Sequence, residues 1–518
     1  MESMTRKVIV IGAGPGGLAA AMLLASAGVD VHVFERHATV GGRTSAIEAQ
    51  GFRFDVGPTF FLYPQVLRAI FAATGHDLDA EVPMVKLDPQ YRLVFGGGGE
   101  LVASPDLARL KSAVAGIAPA DAAAIDRFMA ENRRKLALFK PCLETPFLSL
   151  ADVLTARMMK LLPMLRPWNS LDRELKRYFR DPRVRLAFSF QAKYLGMSPY
   201  KCPSLFSILS FLEYEHGVFH PIGGCNAVPR KMAAIAEEMG VTFHLGEPIE
   251  RIVFQGRRAV GVETLGGRHD ADAVVINGDF SAVIGKLIPP LLRARWSDRR
   301  IATSKYSCST FMLYLGVRGL SRQPNHNIYL AEDYTQNLAD IEQHHALSAD
   351  PSIYVQNASV TDPSLAPRDC STLYVLAPVT HQHANVDWKK QSSDFRKTVL
   401  AQLPKLGFED VENRIVFEKC ITPDDWARLG PLYRGATFSL AHNLGQMLHR
   451  RPHNRFDGVE RVYLVGGGTH PGSGLPVIFE SARISTQLLL EDLGLRAHAA
   501  MAPAEPVLVG DAEGTATA

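Results

Sequence analysis

The chain is predicted to be an α/β protein, and three stretches of sequence carry that expectation. Residues 7–35 read "KVIVIG", "GAGPGG", "LAAAMLLASAG", "VDVHVFE" with one overlap of glycine: strand, tight turn, helix, strand. Residues 461–485, "RVYLVGGGTHPGSGLPVIFESARIS", read as a second strand, glycine-rich turn and helix. Between them, residues 241–276 alternate apolar and polar side chains around glycine turns, as antiparallel strands do.

The first stretch has rival readings. Residues 8–28 carry no charge, follow Arg6 and Lys7, and close on Ala25-Ser26-Ala27. That outlines a secretory signal, and its length suits a membrane span. Gly12, Gly14, Gly16, Gly17 and Pro15 sit in its middle, where a continuous helix is destabilised by each glycine and more by the proline. A strand–turn–helix uses all of them. Gly12, Gly14 and Gly17 form G-x-G-x-x-G: the first allows the turn, the second admits a pyrophosphate, the third lets helix and strand pack closely. The N–H groups at the helix start then face the phosphates. Glu35 ends the next strand, placed to accept hydrogen bonds from a ribose hydroxyl. This order of elements predicts a Rossmann-type dinucleotide-binding unit.

Composition sets the outer bounds. With 518 residues the chain should hold two or three domains. Its 47% hydrophobic and 21% charged residues are those of a globular protein. A net charge of +3 and the absence of any RNA- or DNA-binding motif argue against a nucleic-acid partner. The six cysteines contain no CxxC pair, which excludes the usual metal and redox spacings and suits a reducing, cytoplasmic compartment. No metal-ligand or Ser-His-Asp pattern stands out among the 17 histidines.

After Glu35 and Arg36 come "GGRT" (residues 41–44) and "GFRFDVGPTFF" (residues 51–61). Here the chain resembles the flavoprotein superfamily of amine oxidases and carotenoid desaturases. The resemblance implies FAD as cofactor, with Arg36, Gly42 and Arg43 along the pyrophosphate and Gly57, Pro58 and Thr59 approaching the flavin. In the C-terminal stretch it implies contacts from Gly467, Gly468, Pro476 and Val477. The helix there should begin near residues 475–477. Its partly positive N-terminus would stabilise negative charge on the reduced ring. In the inserted strands, backbone near Val253 would meet the adenine. "GVFHPIGGCNAVPRKMAAIAEEMG" (217–240), "AVVINGDFSAV" (273–283), "LYRGATFSLAHNLGQ" (432–446), "RPHNR" (451–455) and "YLVGGGTHPGSGLP" (463–476) look like the bacterial-type phytoene and dehydrosqualene desaturases. "YSCSTFMLYLGV" (306–317) and "DPSIYVQNASVTDPSLAP" (350–367) lean toward the branch acting on C30 dehydrosqualene. Three departures stand out: Gly466-Gly467-Gly468, Asn277-Gly278-Asp279, and "GLPVIFESA", which leaves the identity of the polyene open.

The resemblance divides the chain into a discontinuous FAD-binding domain (1–100, 217–290 and 455–495) and a mixed α+β substrate domain (101–216 and 291–454). Residues 499–518 are small, rich in Pro and Gly, and read as a disordered tail. "FGGGGE" (95–100) is not followed by a helix and reads as a hairpin turn. No second G-x-G-x-x-G lies in strand–turn–helix context, so no NAD site is expected and the electrons would leave to oxygen or a quinone.

Residues 131–190 hold 13 Lys/Arg and 6 Asp/Glu. Within them "ARMMKLLPMLRPW" (156–168) interleaves Met, Leu and Trp with basic residues. This suits peripheral attachment to the inner face of a cell membrane; the competing reading is a helix that packs domains and leaves its charges in water. Pro163 should kink or end it. "CPSLFSILSFLEY" (202–214) is a candidate wall for an apolar substrate tunnel, or ordinary core. The implied reaction is removal of hydrogen from a linear isoprenoid carotenoid precursor, dehydrosqualene or phytoene. Oxidation of a terminal methyl, isomerisation of a carotenoid, amine oxidation and a non-catalytic lipid carrier are the alternatives. Asp152, Glu213, Glu215 and His470 are acids and bases in suggestive places, each read as structural before catalytic, so no catalytic residue is assigned.

Overall fold

The computed structural model describes residues 6–496; the expected disordered tail at 499–518 lies outside the described residues. The strand Lys7–Ile11 is the centre of a five-stranded sheet in the order Thr242–Leu245, Asp30–Glu35, Lys7–Ile11, Ala273–Ile276, Val462–Leu464. Every pairing is parallel. A parallel sheet is stable when both faces are covered, and here they are. Val8 and Val10 pack with the helices Pro15–Ser26, Ala227–Glu238 and Leu475–Leu493. Ile9, Phe34, Val274 and Ile276 pack on the other face, against the helix Phe280–Leu287 and an antiparallel sheet of Ile249–Gln255, Arg258–Thr264 and Gly267–Asp270.

That arrangement corrects the reading of residues 241–276 as one antiparallel run. The inner three strands are antiparallel, but Thr242–Leu245 and Ala273–Ile276 belong to the parallel sheet. All four residues of Ala273–Ile276 are buried. A strand covered on both faces shows no alternation, so its sequence did not distinguish the two sheets.

The second layer system is a seven-stranded sheet in the order Ile415–Ile421, Ser309–Arg318, Cys370–Val379, Ile353–Asn357, His326–Leu330, Tyr91–Phe95, Glu100–Ala103. Only the pairing of His326–Leu330 with Tyr91–Phe95 is parallel. Residues 91–103 therefore join this sheet, although the sequence grouped most of them with the nucleotide-binding part. "FGGGGE" is the hairpin turn between the last two strands, closed by Phe95 N–H donating to Gly99 O at 3.0 Å. The helix Trp388–Leu400 covers one face of the sheet through Trp388, Phe395 and Val399. Beyond the sheet's other end the helices Leu107–Ile117, Ile125–Leu143 and Ser207–His216 build an apolar helical layer.

Local chemistry explains the first turn. Pro15 occupies the start of its helix, where no backbone N–H is needed. Gly28 ends the same helix with φ of 78°. At Gly17 a Cβ would lie 2.1 Å from Gly12 O, so only glycine permits this approach of helix to turn. Gly17→Ala should destabilise the chain by about 3 kcal/mol or more through forced backbone movement. Gly28→Ala, with open space around it, should cost about 1 kcal/mol from the left-handed backbone alone. Urea unfolding of the two variants checks the difference.

Candidate functional site

A cavity of about 1250 Å³ runs from the C-terminal ends of the parallel strands into the helical layer. Ordinary ligand pockets measure roughly 300–1,000 Å³, so this one has room for more than one ligand. Gly12, Gly14, Glu35, Arg36, Gly42, Arg43, Gly57, Pro58, Thr59, Gly467, Pro476 and Val477 line it. Segments from both ends of the chain thus meet around one space.

The glycine turn is held from several sides. Gly12 N–H donates to Phe34 O at 2.7 Å. Asn277 Nδ2 donates to Gly12 O at 3.0 Å. Glu35 accepts from the N–H of Ala13 through Oε2 and of His37 through Oε1, both at 2.9 Å. Each carboxylate oxygen keeps a further lone pair for a hydroxyl. Gly42 closes over the turn: a Cβ there would stand 3.3 Å from Gly14 Cα. Arg43 reaches across the cavity and donates to Thr437 O at 2.6 Å.

Gly17, Gly468 and Val253 are not among the lining residues. Gly17 is spent on packing, as described. A Cβ at Gly468 would meet Phe280 Cβ at 2.8 Å, so this glycine packs the loop against the neighbouring helix. Val253 lies in the middle of Ile249–Gln255, whereas the lining comes from the strand entrance at Pro248, Ile249 and Glu250.

The C-terminal loop depends on Arg451, a residue with no role assigned from sequence. Arg451 is 0% exposed. Its guanidinium donates to the carbonyls of Gly467 (2.7 Å), Thr469 (3.0 Å), Leu440 (3.3 Å) and Gln446 (3.3 Å). Burial pushes it down to about 9, which leaves it charged at neutral pH. His442 Nε2 accepts from Ser473 N–H at 2.9 Å, and burial beside Arg451 keeps this imidazole neutral. The helix Leu475–Leu493 starts where expected, and Gly474, Leu475, Pro476 and Val477 present its N-terminus to the cavity.

The far end of the cavity is apolar. Leu205, Phe206, Ile208, Leu209 and Leu212 line it from the helix Ser207–His216 and the turn before it, opposite Leu136, Phe139 and Leu143. The suspected tunnel wall therefore shares its space with the glycine turn. Of the four acids and bases singled out, Asp152 caps the short helix Leu150–Val153. Glu215 pairs with Arg133 at 2.8 and 2.7 Å. Glu213 is buried behind the lining, accepts from Gln191 at 2.8 Å, and is pushed up to about 7 by desolvation. His470 does line the cavity; it donates through Nε2 to Thr145 O at 3.1 Å, and burial pulls it down to about 3. Asn277, His442, Arg451 and Glu480 are the site residues that sequence reasoning missed. All four lie inside stretches that the sequence reading singled out, but only contacts reveal their work.

The donor set fits FAD. A glycine cradle that any Cβ would fill faces the start of Pro15–Ser26, an acid is poised for a ribose, and a second helix N-terminus lies further along the same cavity. Residues 15–490 match the family described as flavin containing amine oxidoreductase. The chain belongs to this family. It is 41% identical over 487 residues to a 4,4'-diapophytoene desaturase (4,4'-diapolycopene-forming) of Methylomonas sp, covering 94% of this chain and 95% of that one. It is 39% identical to an all-trans-zeta-carotene desaturase of Myxococcus xanthus, covering 94% of each. Its fold is similar to that of an oxidoreductase from Methanosarcina mazei, with a TM-score of 0.62 at 18% identity over 94% of this chain and 100% of that one. Within its family the chain belongs with the carotenoid desaturases, and its cofactor is FAD.

Replacing Arg451 by Met should strand several buried carbonyls. The expected loss is about 3 kcal/mol or more of stability, at roughly 1–3 kcal/mol for each unsatisfied group. Purified Arg451→Met should also retain less flavin, read from its visible absorbance against protein.

Proposed function

We propose that this desaturase removes hydrogen from a linear C30 isoprenoid of the dehydrosqualene (diapophytoene) type, with C40 phytoene the less favoured substrate. The observation that carries this reading is the single cavity, glycine-lined and polar at one end and leucine-lined at the other. The 41% identical relative named for diapophytoene supports the shorter chain. When bound, FAD supplies the hydride acceptor. The protein's own share is to hold the polyene, exclude water and manage the proton. Holding it rests on burial, at about 0.8 kcal/mol per methylene. We assign the cavity-lining residues Gly12, Gly14, Glu35, Arg36, Gly42, Arg43, Gly57, Pro58, Thr59, Gly467, Pro476 and Val477 to FAD, and the mixed sheet with its helices to the polyene. The electrons leave to oxygen or a quinone.

The substrate would reach the cavity from a membrane surface. The helix Ala156–Leu165 turns Met158, Leu161 and Leu165 inward against Phe139, Leu205 and Ile208, residues that border the tunnel. Leu154 (64%) and Trp168 (65%) remain exposed beside Met159, Arg157 and Lys160. Among the described residues no helix is long and apolar enough to cross a membrane. This combination of exposed apolar side chains and cations suits the interface of an anionic bilayer on the cytoplasmic side.

Anaerobic addition of dehydrosqualene in liposomes should bleach the flavin and yield a product lighter by a hydrogen pair per turnover. An unchanged flavin spectrum overturns the reading, and a product that gains oxygen when the incubation is repeated in air transfers it to terminal-methyl oxidation. The triple variant Leu154→Ser, Met159→Ser, Trp168→Ser should lose about tenfold or more in co-sedimentation with anionic vesicles, following the loss of buried apolar area, while its flavin content stays unchanged.

A further inference from the structure

Removing a hydride from a hydrocarbon leaves a cation, and a proton must then leave the neighbouring carbon inside an apolar cavity. The carboxylates that line the cavity differ in what already occupies them. Glu35 holds two backbone N–H groups. Asp279 caps the helix Phe280–Leu287 and also accepts from Tyr433 N–H. Asp425 is occupied in a capping box with Thr422. Glu250 pairs with Lys286 near the surface. Glu144 pairs with Lys140 at 3.5 Å. Glu480 is the least exposed of them, at 3%; it projects from the helix Leu475–Leu493, lines the cavity, and its Oε1 receives no hydrogen bond. Asp279 Oδ2 also receives none, but Oδ1 of the same carboxylate is held by two backbone N–H groups and the group faces Arg43 at the nucleotide end. Arg483, one turn on in the same helix, forms an ion pair with Glu480 Oε1 at 3.2 Å, and its Nε–H is not aligned on that oxygen.

We propose that Glu480 is the proton acceptor of the desaturation. This rests on the desaturase reading above. One allylic C–H bond breaks with its electron pair passing to FAD as hydride. The adjacent C–H bond then breaks, its pair forms the new C=C bond, and the proton goes to the Glu480 carboxylate. The transfer converts a cation and an anion, both poorly solvated, into two neutral groups. His470, the alternative base in this lining, would instead become a second buried cation near Arg451. The groups facing Glu480 are Arg483 on its own helix and Glu144 and Lys140 on the helix Ile125–Leu143. Burial and Glu144 push Glu480 up, Arg483 and Lys140 pull it down, and the balance is about 7. The Lys140 side chain is 43% exposed, so the Glu144–Lys140 pair offers the proton a way to water.

The test uses the holoenzyme and its Glu480→Gln and Glu480→Asp variants. The rise of the lengthened polyene's absorbance, which requires the proton to leave, is followed beside flavin bleaching by anaerobic stopped flow across pH, with dehydrosqualene in liposomes. The wild type should slow as pH falls through about 7, because only the carboxylate accepts a proton. Glu480→Gln should form the polyene about 100-fold more slowly or worse, with that pH step gone, and Glu480→Asp should recover part of the rate. Infrared difference spectra of the oxidised holoenzymes supply a readout apart from turnover. The protonated-carboxyl signal that vanishes with rising pH in the wild type should be smaller by one group in Glu480→Gln, the remainder belonging to buried acids such as Glu213. Polyene formation at the wild-type rate in Glu480→Gln, or an undiminished infrared signal, overturns the proposal and leaves the desaturase reading standing. Failure of the wild type itself to bleach overturns that reading and the acceptor role together. Should Glu480→Gln hold no flavin, Glu480→Asp decides: a full rate with an unshifted pH step counts against the proposal.

Discussion

Arg451 carries a charge into the interior and meets carbonyl oxygens there instead of a carboxylate. Among the described residues it forms no ion pair; its partners are the carbonyls of Leu440, Gln446, Gly467 and Thr469. Such a group is tolerated only when its donors are satisfied, because a buried charge without partners is unstable by many kcal/mol. The requirement works in both directions. Gly467 and Thr469 belong to the loop between the strand Val462–Leu464 and the helix Leu475–Leu493, and a glycine-rich loop left alone has many conformations. Arg451 selects one of them, and in that one the helix N-terminus points into the cavity. Leu440 and Gln446 belong to the segment that also carries Thr437, the acceptor for Arg43. The guanidinium thereby ties the C-terminal turn to the wall opposite the N-terminal one. Asn277 makes the complementary tie from the strand between them, through its bond to Gly12 O.

Charge is distributed along the cavity in a way that suits a hydrocarbon which turns briefly cationic. The nucleotide end holds cationic groups such as Arg36 and Arg43 and two helix N-termini, the environment a pyrophosphate favours. At the other end the walls are Leu, Ile and Phe. The two histidines between these zones, His442 and His470, are both pulled down by burial and stay neutral. No positive charge is therefore added by histidine where the substrate would carry its own. Glu480, pushed up by the same burial, is the one of these titratable groups whose protonation removes charge from the cavity instead of adding it.

Local physics made part of this legible in the sequence. The βαβ unit was readable because glycine and proline in a charge-free run are costly in any structure except a strand–turn–helix. The start of the last helix and the "FGGGGE" hairpin followed from turn chemistry alone. The tunnel wall could be marked in residues 202–214 but not separated from core, since Leu205, Ile208 and Leu212 would look the same packed against protein. What was missed depends on partners far away in the chain. Residues 91–103 carry nothing that says which sheet their edge will find; His326–Leu330 decides it. Thr242–Leu245 and Ala273–Ile276 join the parallel sheet because Asp30–Glu35 and Lys7–Ile11 offer them open edges. Arg451 and Glu480 look like ordinary surface residues until the fold surrounds them, and their burial is what gives each its role.

The helix Ala156–Leu165 shows why its two sequence readings were not exclusive. Packing between domains engages one face of this ten-residue helix and leaves the opposite face available for the bilayer contact proposed above. Met158, Leu161 and Leu165 recur at the three- and four-residue spacing of one helical stripe and complete the wall behind Phe139 and Ile208. Met159 lies on the other side, with Arg157 and Lys160, and Leu154 and Trp168 flank the helix at either end. Pro163 does not break the helix, which runs two residues past it and ends at Arg166 in a left-handed conformation. Its position near the C-terminal end limits the backbone bonds lost. On the proposal above, a polyene drawn from lipid would pass Leu154, Met159 and Trp168 before reaching the wall behind Phe139 and Ile208. A substrate without polar groups favours such a route, because each methylene exposed to water along the way would raise the barrier by about 0.8 kcal/mol.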